Sequence, residues 1–337
     1  MYSINERKQH WHDFVDLKSN VNFIYQFYYS DSDINNEPKK WREFKQERID
    51  WILRKYEFML KHAQTVCDDR VPHLDMMTGT EIFAEALGSR VYKPDDNNPF
   101  AIPFIHKASE VSKVKVPKLE ESSLWYLFEI ADKTVEKAGK DAILKFIDIQ
   151  SPMDIVALIW DKNDLFPAMI EEPEAVFELC DKTYEILTAF VDEWKKRYGK
   201  QFVAHYPEYY MNEGLSVSED EVGAVSPDMF VKFFLPYLNK LSQRYGGLGI
   251  HCCANSRHQW DNFKKIENLK LLNIDIFDPN RYNYFKDTCA GMHTRTGAEK
   301  VPDFFKDKGH QAVSIYVSNR EQAEEMAKTL QEAISTI

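Results

Sequence analysis

Short runs of β-branched and apolar residues recur along this chain with a helical pattern after most of them, and that alternation restricts the fold more than any other feature. Eight runs can be read: Val71–Met76, Ala142–Ile149, Gln201–Tyr206, Gly214–Val217, Leu248–Cys253, Leu269–Ile276, Ala290–Thr296 and Ala312–Val317. Parallel strands need a crossover to bring the chain back to the same end of the sheet, so eight strand and helix repeats predict a (β/α)8 TIM barrel of the α/β class. A doubly wound open sheet is the competing arrangement, but no glycine-rich turn follows the first strand. Glycine supplies only 12 of 337 residues, which argues against glycine-rich phosphate loops in general.

The helical stretches carry their own end signals. Pro173 follows Glu172 at a first helical position, apolar residues recur at Val176, Phe177, Leu179, Cys180, Tyr184, Leu187 and Phe190, and Gly199 closes the run. Ser226-Pro227-Asp228 opens another helix that reaches Gly246, with a kink expected at Pro236. Ser151-Pro152-Met153-Asp154 and Ser318-Asn319-Arg320-Glu321 both have capping-box spacing. The first 65 residues show no alternating strand pattern, and Pro38–Gln64 reads as a long helix through Trp51, Ile52, Tyr56 and Leu60. The expected organisation is a helical N-terminal extension over residues 1–65 and a barrel over residues 66–337.

Charge excludes one class of partner. With 43 basic and 54 acidic side chains the net charge is −11, which disfavours nucleic acid as a partner. No apolar run is long enough to span a membrane, and Glu6, Arg7, Lys8 and Asp13 occupy the place of a signal core, so a cytoplasmic protein is expected. Five cysteines, two of them adjacent, make a poor disulfide framework and fit reduced thiols or metal ligands. The 14% aromatic content makes a homodimer plausible.

In such a barrel the chemistry sits at the C-terminal ends of the strands. Leu248-Gly249-Ile250-His251-Cys252-Cys253 puts His251 and Cys253 two residues apart, hence on one face, where an imidazole and a thiolate can bind zinc together. The alternative is a hydrogen-bonded core histidine beside two packing cysteines. His293 and Arg295 share a face of the seventh run and could grip a carboxylate, or Arg295 could pair with a barrel acid. Asp75, Asp148, Glu219 and Asp220 are the acids placed to reach a pocket. Tyr206, Tyr209 and Tyr210, with His205 and Glu208, could floor a flat ligand or form a lid or an oligomer contact. Tyr206, Tyr210 and Gln150 are taken as substrate-binding residues.

Several separated stretches together resemble the uroporphyrinogen decarboxylase family, which also includes cobamide-dependent methyltransferases. They are Asp68-Asp69-Arg70-Val71-Pro72 with Ala86-Leu87-Gly88, Asp148-Ile149-Gln150-Ser151-Pro152-Met153-Asp154, Glu171-Glu172-Pro173-Glu174-Ala175-Val176, Val225-Ser226-Pro227-Asp228-Met229-Phe230, Leu235-Pro236-Tyr237 and His251-Cys252-Cys253-Ala254-Asn255. In order and spacing they cover about residues 45–335. The resemblance implies a barrel with its pocket at the C-terminal face, and it puts Asp75 at the family's pocket aspartate, which orients pyrrole N–H groups. Nothing in the chain matches the decarboxylases' arginine-rich Arg-Gln-Ala-Gly-Arg-Tyr segment. His251-Cys252-Cys253 is similar to the zinc motif of the methyltransferase branch, whose further cysteine after strand eight is absent from Ile315-Tyr316-Val317-Ser318-Asn319. Glu219, Asp220 or His293 could complete the ligand set.

The leading expectation is therefore zinc-assisted transfer of a methyl group between a corrinoid and a thiol. It takes Glu219 or Asp220 as third ligand, a small-molecule substrate and a corrinoid protein as partner. The alternatives are a cofactor-free decarboxylase anchored on Asp75 with Asp148, His293 and Arg295 in its pocket, and an inactive barrel that binds a tetrapyrrole or a partner.

Overall fold

Each of the eight runs becomes a strand in the computed structural model of the chain, and four further short or unexpected strands join them. The structure describes residues 1–337 apart from Ser19, Asp33, Asp96, 275–279, 298–309 and 336–337, together with the side chains at 282, 294–297 and 333–335. The strands are β1 (Phe23–Tyr28), β2 (His73–Asp75), β3 (Arg90–Tyr92), β4 (Phe100–Ile102), β5 (Ile143–Lys145), β6 (Phe202–Val203), β7 (Tyr210–Met211), β8 (Leu215–Ser218), β9 (Leu248–His251), β10 (Leu269–Asn273), β11 (Ala290–Gly297) and β12 (Gln311–Tyr316).

One sheet runs β1-β12-β11-β10-β9-β8, all parallel, and a second runs β2-β5-β6-β7. A bridge between Gln150, beyond the end of β5, and Ser218, at the end of β8, connects the two. This is the (β/α)8 TIM barrel of the α/β class. Its core strands are apolar on both faces, as strands covered by helices must be: Leu248, Ile250, Leu271, Leu272, Ala312, Val313 and Ile315 are all buried.

The N-terminal segment is helical in α1 (Ile4–Val15) and α2 (Lys45–Thr65), but between them it donates β1 to the barrel sheet. β1 pairs with β12 from Phe23↔Gln311 to Tyr28↔Tyr316. On its other side the Asp69 amide donates to the Tyr25 carbonyl at 2.9 Å, and the Asp69 and Asp68 carboxylates accept the amides of Tyr25 and Phe27 at 3.1 and 2.9 Å. Asp68 also receives Arg7 of α1 and His62 of α2, so one buried carboxylate fastens three N-terminal elements to the barrel wall.

The kink expected at Pro236 takes a definite form. Lacking an N–H, Pro236 leaves the carbonyl of Lys232 without its usual partner, and the helix opens into a π segment at Phe230–Phe234 before resuming as Leu235–Tyr245. Gly246 ends it with a left-handed φ of 86°. Ser151 caps Pro152–Ile159 through its hydroxyl, as its spacing predicts, with Asp154 held at the start of that helix.

Candidate metal centre and neighbouring pocket

β9 delivers His251 to the C-terminal mouth, and Cys253 follows two residues later on the same side. The loop after β8 brings Asp220 to meet them, and the potential ligand atoms of Asp220, His251 and Cys253 all lie within 4.8 Å of one another. Four hydrogen bonds order this cluster. The Cys253 amide donates to Asp220 Oδ1 at 2.6 Å, and the Asp220 amide in turn donates to Asp154 Oδ2 at 2.8 Å. His251 Nδ1 lies 2.7 Å from Oδ1 of the buried Asn273 on β10, and Asn273 Nδ2 donates to the Met292 carbonyl at 2.6 Å. Because the Asn273 amide nitrogen is spent on Met292, its oxygen faces the ring, so His251 carries its proton on Nδ1 and keeps the Nε2 lone pair for a ligand.

The donor set fits zinc: one imidazole nitrogen, one sulfur and one carboxylate oxygen, with room for a fourth ligand. Cys253 is exposed at the mouth, and its thiol is pushed up to about 11 by partial burial and by Asp220 beside it. A cation at this point would reverse that preference, since a metal deprotonates the thiol it binds. Cys252 faces the other way and is fully buried, so it packs.

Glu219 is not part of the cluster. Its carboxyl is fully buried against Asp154, with the Ser151 side chain also beside it. Burial, then Asp154, holds Glu219 well above the usual carboxylate range, while burial raises Asp154 to about 7. Two adjacent buried acids cannot both ionise, so they share a proton. Asp154 keeps its acceptor sites for the amides of Asp220 and Glu221, and that preference turns Asp220 outward and Glu219 inward.

Tyr206 meets His251 edge to face, ring centroids 4.8 Å apart, and separates the cluster from a second concavity. That cavity, of about 360 Å³, is walled by Arg70, Lys145, His205, Tyr206 and Glu208 with polar groups from the β1 and β12 ends. Beneath it lies a buried charge network. Asp75 pairs with Lys55 and, at 3.2 Å, with Lys145; Lys145 also donates to Glu208 at 2.9 Å. The Tyr28 hydroxyl donates to Glu208 at 3.1 Å, while Arg70 stands 3.6 Å from Glu208. Burial pushes Asp75 up, but Lys145 and Lys55 overcome it and hold the group far below the usual range. Glu208 is likewise held down, against its burial, by Lys145 and His73.

His73, Asp75 and Glu208 also present three potential metal ligands to one point. Lys55 and Lys145 already pair with those acids, so the chemistry there is ion pairing.

The other expected site residues divide. Asp148 Oδ1 accepts from Gln150 Nε2 at 2.6 Å and Oδ2 lies 3.4 Å from His205 Nε2, so Asp148, Gln150 and His205 form one group beside Tyr206. Tyr210 points the opposite way: the chain reverses after the cis Tyr206-Pro207 bond, β7 runs back along β6, and the Tyr210 hydroxyl donates to Gln201 at the start of β6. His293 bonds Arg281 and Gln311 at 2.8 Å each, and burial and Arg281 push it down to about 2, so it is a neutral ring. Arg295 belongs to β11, and its side chain lies outside the described residues.

Lys55, Arg70, Lys145 and Asn273 were not expected at the site. Lys145 does leave a signal, a lysine between Leu144 and Phe146 in a mostly apolar run, and Asn273 a weaker one, since its run also holds Lys270 and Asp275. Lys55 on α2 leaves none.

A family model described as uroporphyrinogen decarboxylase (URO-D) matches residues 73–283, more than half of the chain, and the chain belongs to that family. A solved methyltransferase from Methanosarcina mazei has a similar structure, with a TM-score of 0.72, 10% sequence identity, and alignment over 99% of this chain and 100% of that one. At that identity the likeness is one of fold. No curated protein sequence matches this chain. Among the described residues no helix is long and apolar enough to cross a membrane.

Proposed function

We propose that this member of the uroporphyrinogen decarboxylase family is a methyltransferase. In this reading Asp220, His251 and Cys253 hold zinc, and the methyl group passes from a corrinoid, brought by a partner protein, to the thiol of a small molecule. The convergence of those three side chains at the barrel mouth, with His251 oriented by Asn273, is the observation that carries the reading. The fold shared with the Methanosarcina mazei methyltransferase is compatible with it. Asp220 takes the place of the thiol that the chain lacks after strand eight.

When bound, zinc would lower the pKa of a substrate thiol so that it attacks as a thiolate. The protein's own groups supply the rest. Asn273 keeps Nε2 of His251 free for bonding, the Cys253 amide fixes the direction of Asp220, and Tyr206 closes one side against the histidine ring. The exposed position of Cys253 leaves the cluster open to a methyl donor approaching the C-terminal face.

A decarboxylation anchored on Asp75 draws less support. Its oxygens are committed to Lys55, Lys145 and the Met77 amide, so few lone pairs remain for pyrrole N–H groups. Metal analysis of wild type and Cys253→Ala, with methyl transfer from methylcobalamin to mercaptoethanol, tests the proposal. The expected result is one zinc per chain and turnover in the wild type, both lost in the variant. Turnover of wild type with no bound metal would overturn it.

A further inference from the structure

Arg70 is only 5% exposed, yet its guanidinium makes no hydrogen bond to any described residue. Its Nε is buried without a partner, one face is covered by the Tyr28 ring 4.3 Å away, and the nearest acid, Glu208, stands at 3.6 Å, beyond bonding distance. A guanidinium carries five donors and cannot lose its proton, so a buried one without acceptors is costly unless something else supplies them. The neighbouring acids cannot. Asp68 is taken by Arg7 and His62, Asp75 by Lys55 and Lys145, and Glu208 by Lys145 and the Tyr28 hydroxyl.

Charge points the same way. The network over which the cavity opens sets three cations, Lys55, Lys145 and Arg70, against two carboxylates, Asp75 and Glu208. One positive charge is left over within this network, and of the three cations that line the cavity Arg70 is the one that stands beyond bonding distance of an acid. His205 Nδ1, on the same wall, is also buried without a partner, and burial pushes the ring toward its neutral form.

We infer that the cavity between Arg70 and Tyr206 is a subsite for a carboxylate: Arg70 takes the two oxygens of a single planar carboxylate as a fork, and His205 stands on the same wall to bond the ligand. Tyr206 lines this cavity and packs against His251, so a ligand with its carboxylate at Arg70 would have to pass the edge of the Tyr206 ring to bring a thiol to the Asp220, His251 and Cys253 cluster. The inference rests on the methyl-transfer reading above, and it names the acceptor as a mercapto carboxylic acid.

Calorimetric titration of the wild-type protein with straight-chain mercapto carboxylates, their neutral amides and the same carboxylates lacking sulfur tests it. Carboxylates should bind at least about tenfold tighter than the matched amides, because a charge-assisted bidentate pair is lost. That preference should disappear in Arg70→Met and persist in weakened form in Arg70→Lys. Should the sulfur add nothing while the carboxylate preference and its dependence on Arg70 remain, the metal reading falls and the subsite stands. Amides that bind the wild type as well as carboxylates overturn the subsite, whatever the metal content, and this comparison holds even if Arg70→Met does not fold.

Discussion

Asn273→Ala removes the group that orients His251 without touching the metal cluster. Its effect can be worked out from two hydrogen bonds: Oδ1 to His251 Nδ1 at 2.7 Å and Nδ2 to the Met292 carbonyl at 2.6 Å. Loss of the first frees the imidazole to rotate or change tautomer. Removing such a supporting partner weakens metal binding by roughly 10–100-fold, or about 1.4–2.8 kcal/mol. Loss of the second leaves a buried carbonyl without its donor, at a cost of about 1–3 kcal/mol of folding stability. Asn273→Asp separates the two effects, because a carboxylate still accepts from Nδ1 but cannot donate to Met292. Zinc affinity, measured by competition with a chromophoric chelator, should fall in Asn273→Ala and stay within a few fold of wild type in Asn273→Asp. Urea unfolding should show both variants destabilised. If the two variants lose metal equally, or neither loses any, the orientation argument is wrong.

Lys145→Met strips Asp75 and Glu208 of the cation they share, and breaking a buried pair in this way should cost about 3–5 kcal/mol in urea unfolding at neutral pH. A loss under about 1 kcal/mol would mean that Lys55 compensates. Asp68 sets the acid limb of stability. Burial pushes it up, but His62 and Arg7 overcome that and hold it at about 2, so the folded state binds its proton less readily than the unfolded chain. Its contribution is present above the unfolded value near 4 and lost as pH falls toward 2, and a pH series of melts on Asp68→Asn should show a flatter decline over that range. Gly249→Ala would drive a methyl group to 2.1 Å from the Tyr209 hydroxyl, which bonds Ser216 at 2.6 Å. Overpacking of about 1–3 kcal/mol is expected in thermal unfolding, and Tyr209→Phe in the same background should recover part of it.

Strand β1 shows where a local pattern stops being informative. Phe-Ile-Tyr-Gln-Phe-Tyr has no polar and apolar alternation, because four of its six residues are buried between β12 and the Asp68-Asp69 segment. A parallel strand covered on both faces reads as a continuous apolar run, and in a short aromatic stretch that cannot be told from part of a helical extension. The charge network fails to show for a different reason. Lys55, Asp75, Lys145 and Glu208 are scattered over four separate stretches of chain, and no local pattern says that they meet.

By itself, the sequence determined the barrel, since eight alternations of strand and helix leave a parallel sheet few other ways to close. It also pointed to His251 and Cys253 on one side, which the folded chain keeps although β9 ends at His251. Only the tertiary structure placed Asp220, and not Glu219, beside His251 and Cys253. Past the end of β8 the two-residue period no longer holds, and the choice passes to Asp154, 66 residues earlier in the chain, whose carboxylate binds the Asp220 amide and shares a proton with Glu219. The direction of Tyr210 was settled in the same way, by the reversal of β7 on β6, and the unbonded guanidinium of Arg70 by how many acceptors the folded chain brings within its reach. Which acid stands beside His251, and which cation is left without a close acceptor, depend on contacts between distant residues, which a local pattern does not carry.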